Sequence, residues 1–244
     1  MTEPEPATLG SGGPDAPRGG WRTAPVVSID RPVPHGVRLR LDVADRMDHM
    51  PGQHYVVRLT APDGYTAQRS YSVASPPSDP LVELLVERFE DGEVSGYLAD
   101  VVEPRDEFEV RGPIGGWFVW DGASPALLVG GGTGVVPLVS MLRTAHDLGR
   151  TELLRIAVAA RTWAELPYAD ELAAAGALVA LSREVRGIRP AARLGGDELV
   201  PLWEPGQTAY VCGSAVFAES LSQLLLGLGF AARDVRIERF GPSG

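Results

Sequence analysis

Between residues 25 and 118, apolar and polar side chains alternate in short runs set between turn residues. PVVSID (25–30), GVRLRLDV (36–43) and QHYVVRLT (53–60) alternate or carry β-branched residues, the period-two pattern of a half-buried strand. Pro51-Gly52 and Pro62-Asp63-Gly64 mark turns. QRSYSVAS (68–75), LVELLVERF (81–89) and DEFEVRGPIG (106–115) continue the series, interrupted by a turn and short helix over 92–98. Short strands at this spacing predict a small antiparallel β-barrel. Near residue 125 the pattern changes. PALLVGGGTG (125–134) is an apolar run ending in glycines, followed by helix-like VVPLVSMLRTAHDLG (135–149). LLRIAVAAR, ALVALSRE, TAYVCGS and DVRIERF read as further strands, and AELPYADELAAAG (164–176) and AVFAESLSQLLLGLGF (215–230) as helices. Strands alternating with helices predict βαβ units and a parallel sheet. The expectation is therefore two domains. An N-terminal antiparallel β-barrel spans 21–120 and a C-terminal α/β parallel-sheet domain spans 125–244, with the boundary near Asp121-Gly122-Ala123-Ser124. Residues 1–20, rich in Pro, Gly, Glu and Ala, read as a disordered tail.

Composition narrows the function. The 244 residues carry a net charge of -10, which argues against nucleic acid or an anionic membrane as partner. No apolar run approaches the roughly 20 residues of a membrane span. The N-terminus has neither the basic start nor the apolar centre of a secretory signal. The one cysteine, Cys212, cannot form an intramolecular disulfide and suits a cytoplasmic location. It cannot hold an iron–sulfur cluster within this chain either. The four histidines are scattered without ligand spacing, so no metal site is expected.

The candidate chemistry centres on Arg69-Ser70-Tyr71-Ser72. Arginine is a planar fork for phosphate oxygens, tyrosine a rigid face for a conjugated ring, and serine a hydrogen-bonding partner for a ring nitrogen. Together they suggest a flavin cradle. Gly92-Glu93-Val94-Ser95 follows a strand and opens a helix, where backbone N–H groups can point at a phosphate. Alone it reads as a turn with a serine cap; placed 20 residues after Ser72, it reads better as a pyrophosphate site. Gly112-Pro113-Ile114-Gly115-Gly116 is either a barrel-closing turn or a tight path beside a flavin. Gly130-Gly131-Gly132-Thr133-Gly134-Val135-Val136-Pro137 departs from the G-x-G-x-x-G fingerprint, but a glycine loop at a strand's carboxyl end is where an α/β sheet binds its ligand. Tyr210-Val211-Cys212-Gly213-Ser214 ends a later strand at the same sheet edge. Cys212 is there either a small buried hydrophobe or a cofactor contact. Arg161 and Ser182-Arg183 fall at or just past strand ends, with Arg193 in the same domain. Arginines there can bind a 2′-phosphate, which favours NADPH over NADH.

The ordered series PGQ (51–53), RSYS (69–72), GEVS (92–95), GPIGG (112–116), GGGTGVVP (130–137), VCGS (211–214) and ERFG (238–241) resembles the ferredoxin–NADP⁺ reductase superfamily. It is most similar to bacterial reductase modules that feed oxygenases, over residues 21–241. The resemblance implies that the barrel binds flavin and the α/β domain binds NAD(P). It implies that Arg69 holds the FAD pyrophosphate, Tyr71 stacks on the isoalloxazine and Ser72 hydrogen-bonds near flavin N5. Ser70 and Val86 join the flavin contacts. Gly92, Glu93, Val94 and Ser95 form the phosphate loop of the FAD form. Gly132, Thr133 and Gly134 receive the pyridine nucleotide, with Cys212 and Gly213 beside the nicotinamide. Arg161, Ser182, Arg183 and Arg193 resemble 2′-phosphate contacts, and Phe240 an aromatic flavin cover. Ser72, Cys212 and Glu238 position the rings and tune the charge near them. The implied activity passes a hydride from NADPH (NADH being possible) to FAD, and electrons singly to a separate carrier such as a ferredoxin. Relatives of this type often carry a fused ferredoxin domain with a cysteine cluster, which this sequence lacks. Two other readings are a stand-alone flavin reductase or diaphorase, and a non-enzymatic flavin-binding redox sensor. Docking an acidic carrier on an acidic chain calls for a local basic patch, for which Arg40, Arg46, Arg58 and Arg88 are the candidates.

Overall fold

The computed structural model describes residues 20–241. Apart from Gly20, the tail expected over residues 1–20 lies outside them. Among the described residues no helix is long and apolar enough to cross a membrane.

The alternating half folds into six strands: β1 (Arg22–Val33), β2 (Gly36–Leu41), β3 (His54–Thr60), β4 (Thr66–Ser72), β5 (Val82–Glu87) and β6 (Glu107–Ile114). They form one antiparallel sheet in the order β4-β3-β6-β1-β2-β5. Just past β4, Val73 bridges to Leu84 of the opposite edge strand β5 and draws the sheet into a barrel. The inward half of each alternation fills it: Val26, Leu39, Leu41, Tyr55, Val57, Leu84, Val86 and Val110 are all buried in one cluster. Helix α1 (Glu93–Asp100) adds Val94 and Leu98 to that cluster.

The second half is a parallel sheet in the order β11-β10-β7-β8-β9. It comprises β7 (Ala126–Gly131), β8 (Leu154–Ala160), β9 (Leu178–Leu181), β10 (Thr208–Ser214) and β11 (Val235–Phe240). Helices α2 (Val136–Asp147), α3 (Ala169–Ala174), α4 (Gly196–Leu199) and α5 (Ala215–Gly227) connect them. Period two decides which face each strand residue covers. Leu128 of β7 packs with Leu138 of α2 and Leu172 of α3, whereas Leu127 and Val129 pack with Leu221 and Leu225 of α5.

Two elements differ from expectation. The helix expected over 164–176 begins only at Ala169. Pro167 disfavours helical geometry at Leu166 and lacks an N–H, and Tyr168 adopts a left-handed φ of 57°. The residues before it form a separate 3₁₀ turn, Trp163–Glu165. The short α4 was not expected; four residues offer too little period to read.

Polar side chains tie the two halves together. Arg143 of α2 donates to Glu83 of β5 at 2.9 Å and also pairs with Glu171 of α3. The Tyr168 hydroxyl donates to the same Glu83 oxygen at 2.9 Å. Ser140 of α2 donates to the Ser75 carbonyl at 2.8 Å.

Candidate functional site

A cleft runs between the two sheets. A cavity of about 920 Å³ on the barrel side and one of about 580 Å³ on the α/β side share Glu87, Phe89, Thr133, Phe240 and Gly241. They are two ends of one groove, of the size that small-molecule sites occupy.

The barrel end is built on β4. Alternation separates Arg69 and Tyr71 from Ser70 and Ser72, yet all four line the cavity because β4 ends at its floor. Arg69 is exposed, and among the described residues its guanidinium hydrogen-bonds only to the Gln68 carbonyl. Gly92, Val94 and Ser95 form the adjoining wall. Gly92 precedes α1, and no side chain of the described residues caps that helix, so its first N–H groups are available to a ligand. A Cβ on Gly92 would press on Ser95 Oγ, so any other residue there would displace the serine hydroxyl. Ser95 Oγ faces the turn: it accepts from the Phe89 N–H and donates to the Gly92 carbonyl. The Glu93 carboxylate is turned away and accepts from the Tyr65 hydroxyl at 3.1 Å.

The α/β end is built on the strand–loop–helix at β7. Gly131, Gly132 and Thr133 line the cavity, with Arg161 past β8, Ser182 past β9, and Arg193. Arg161 is 65% exposed and reaches Glu165 only at 3.9 Å. Gly134 packs on β10 instead. A Cβ there would lie 2.3 Å from the Cys212 carbonyl oxygen and 2.6 Å from the Gly213 Cα.

Where the ends meet, β10 and β11 set Cys212 beside Glu238 in parallel register. Cys212 is fully buried within the core, and burial, with the Glu238 charge beside it, pushes its thiol well above the ordinary value. It supports the loop from below and does not line the groove. Glu238 does line it. Burial raises its carboxyl to about 7, so it titrates near neutral pH. Burial likewise raises the Tyr71 hydroxyl and lowers the imidazole of His54, which on β3 pairs with Ser72 of β4.

Several expected residues stand elsewhere. Val86 points into the barrel core, because strand alternation gives the groove its neighbours Leu85 and Glu87 instead. Arg183 is exposed outside both cavities. Arg40, Arg58 and Arg88 are each already paired, with Asp79, Glu109 and Asp100 respectively, and the largely buried Arg46 donates to the Pro77 carbonyl, which removes them as a free basic patch. Sequence reasoning passed over Glu87, His54 and Arg111, all on the groove wall. Period two within LVELLVERF, counted from the inward Leu84, would have found Glu87.

The barrel end fits a flavin. Among the described residues, Ser72 Oγ, Tyr71 OH and Glu238 Oε2 are buried without a hydrogen-bond partner, and all three belong to residues of this one cavity. Buried polar groups are rarely left unpaired; here they await a flat molecule rich in nitrogen and oxygen.

Comparison with known proteins agrees. Residues 33–119 match the family described as Oxidoreductase FAD-binding domain. The chain is 29% identical to the ferredoxin–NAD(P)(+) reductase component of the naphthalene 1,2-dioxygenase/salicylate 5-hydroxylase systems of Ralstonia sp., covering 90% of this chain and 69% of that protein. It is 32% identical to the propane 2-monooxygenase reductase component of Gordonia sp. (strain TY-5), over 63% of this chain and 45% of that one. The chain thus spans about two thirds of the first relative and under half of the second. Among solved structures, the flavohem-like FAD/NAD-binding domain of nitric oxide dioxygenase from Vibrio cholerae superposes with a TM-score of 0.81 at 25% identity, over 92% of this chain and 100% of that one. Residues 33–119 thus carry an FAD-binding oxidoreductase domain, in a chain homologous to the reductase components of oxygenase systems.

Proposed function

We propose that this chain takes reducing equivalents from NADPH onto a resident FAD and delivers them to a separate electron carrier, a ferredoxin serving an oxygenase. The observation that carries the reading is the convergence of Ser72 Oγ, Tyr71 OH and Glu238 Oε2, all unpartnered, on a groove continuous with the Gly131–Thr133 loop. FAD, when bound, accepts two electrons together and releases them singly; that chemistry belongs to the cofactor, and the protein supplies orientation and electrostatics.

In this reading residues 21–120 hold the flavin and residues 125–244 the nucleotide. Arg69 and the uncapped N-terminus of α1 bind the FAD pyrophosphate. Tyr71 stacks on the ring, and Ser72 hydrogen-bonds to it. Phe240, on the wall of both cavities, would cover the ring. Gly132 and Thr133 bring backbone close to the nucleotide, and Gly134, Gly213 and Cys212 form the floor beneath them. Glu238, titrating near 7, holds or releases a proton at Oε2 beside the rings. Arg161, Ser182 and Arg193 at the far end recognise a 2′-phosphate, which favours NADPH over NADH.

An anaerobic visible-spectrum titration of the purified holoprotein tests this. The expected result is a bound-flavin band bleached by NADPH at lower concentration than by NADH. Bleaching by NADH first would make Arg161 and Arg193 ordinary surface charges. Bound flavin that neither nucleotide reduces would favour the redox sensor, and a protein that retains no flavin the stand-alone flavin reductase.

A further inference from the structure

Glu87 ends strand β5 and lines both halves of the groove. Its Oε2 accepts from Thr133 Oγ1 at 2.6 Å, a hydrogen bond across the cleft between the barrel and the loop after β7. Among the described residues no arginine or histidine pairs with it in an ion pair. A carboxylate on a binding groove with no cation to neutralise it needs a reason. It repels phosphate, so it is misplaced as a pyrophosphate contact. It is well placed for a neighbour that presents only hydroxyl donors.

We infer that Glu87 is a positioning residue for the pyridine nucleotide, accepting a hydrogen bond from the ribose that carries the nicotinamide. The inference rests on the nucleotide path of the proposed function. Along that path the pyrophosphate lies at the glycine loop and the nicotinamide at the flavin, so the ribose between them lies at the neck that Glu87 occupies. A ribose offers two vicinal hydroxyls. A carboxylate has about four acceptor sites, and Thr133 uses one. Thr133, having donated its only proton to Glu87, can only accept from the nucleotide. The pair therefore presents a fixed set of acceptors to a ligand rich in donors, and the charge strengthens the hydroxyl contact. The same charge keeps phosphates out of the neck and so sets the register of the nucleotide along the groove.

Calorimetric titration of the holoprotein tests this with NADP⁺, with oxidised nicotinamide mononucleotide, and with adenosine 2′,5′-diphosphate, which lacks the nicotinamide ribose. Glu87→Ala should weaken the first two by about the same factor, on the order of tenfold for one charge-assisted hydrogen bond. The adenosine compound should keep its wild-type affinity, and Glu87→Gln, which accepts without the charge, should fall between wild type and Glu87→Ala. The bound-flavin spectrum verifies that both variants are folded. Equal losses for all three ligands would mean general damage and overturn the inference. So would unchanged or tighter binding of NADP⁺ to Glu87→Ala. If the wild-type holoprotein binds no nucleotide at all, the proposed function fails and the inference with it. Wild-type binding with an unresponsive Glu87→Ala removes the inference alone.

Discussion

Glu238 and Cys212 are neighbours across two parallel strands, and burial raises the pKa of both. The outcome differs because only one faces the groove. Cys212 stays a neutral thiol in the core, where a small hydrophobe is what packing requires. Glu238 is held at about 7 by loss of solvation, so near neutral pH it is part protonated beside the proposed ring site. The sign of its effect on stability follows. The folded protein holds this proton more tightly than the unfolded chain. The stabilising contribution is complete below the ordinary carboxyl value and is lost as pH rises through about 7. The loss should be on the order of 2–3 kcal/mol. Urea midpoints of wild type and Glu238→Gln at pH 5 and pH 8 isolate it from the other carboxylates. Wild type should lose stability relative to the variant at the higher pH, and an unchanged difference would mean that Glu238 titrates normally.

The loop after β7 shows what an element demands beyond its motif. A Cβ on Gly130 would press on Val135 and Leu138, one on Gly131 on the Phe217 ring, and one on Gly134 on the Cys212 carbonyl. Gly132 has open space around its Cβ position but a φ of 55°. The first three glycines are thus steric and the fourth conformational. Gly134→Ala must push backbone from backbone and should cost about 3 kcal/mol, the upper range of overpacking. Gly132→Ala should cost about 1 kcal/mol. Chemical unfolding of the two variants checks the order, and equal costs would contradict the distinction. The loop itself was legible because an apolar run, a glycine cluster and a helical period follow one another. Inside β5 the same alternation separates Val86, turned into the barrel, from Glu87, turned into the groove; attention to the motif over the period obscured that. The start of α3 was less legible, since Pro167 and the left-handed Tyr168 override a helical composition.

At the scale of the whole molecule, an antiparallel half followed by a parallel one follows from the change of period near residue 125, but what joins them does not. Glu83 meets partners 60 and 85 residues away in sequence, and no local pattern announces such a contact. The surface was equally hidden: a tally of charges cannot say that Arg40, Arg58 and Arg88 are each matched by a carboxylate. The groove exists only because the halves are held at one angle, and Glu83 is the centre of that join. It is only 4% exposed, and a single oxygen, Oε1, receives both Arg143 Nη1 and the Tyr168 hydroxyl. Glu83→Ala would strand the Tyr168 hydroxyl and leave Arg143 Nη1 with the Ala74 carbonyl at 3.2 Å. Arg143 keeps Glu171, so the cost should be about 3 kcal/mol, the lower end for breaking a buried pair. Tyr168→Phe removes one hydrogen bond and should cost about 1 kcal/mol in the wild-type background. In the Glu83→Ala background it should cost almost nothing, since the acceptor has gone. A double-mutant cycle in urea reads that difference. Strict additivity would mean that Tyr168 and Glu83 act separately, and that the angle between the sheets is set by the apolar contacts of Ala74, Leu85 and Phe118 with α2 and its neighbours. A coupling close to the full cost of Tyr168→Phe would make the polar join one unit.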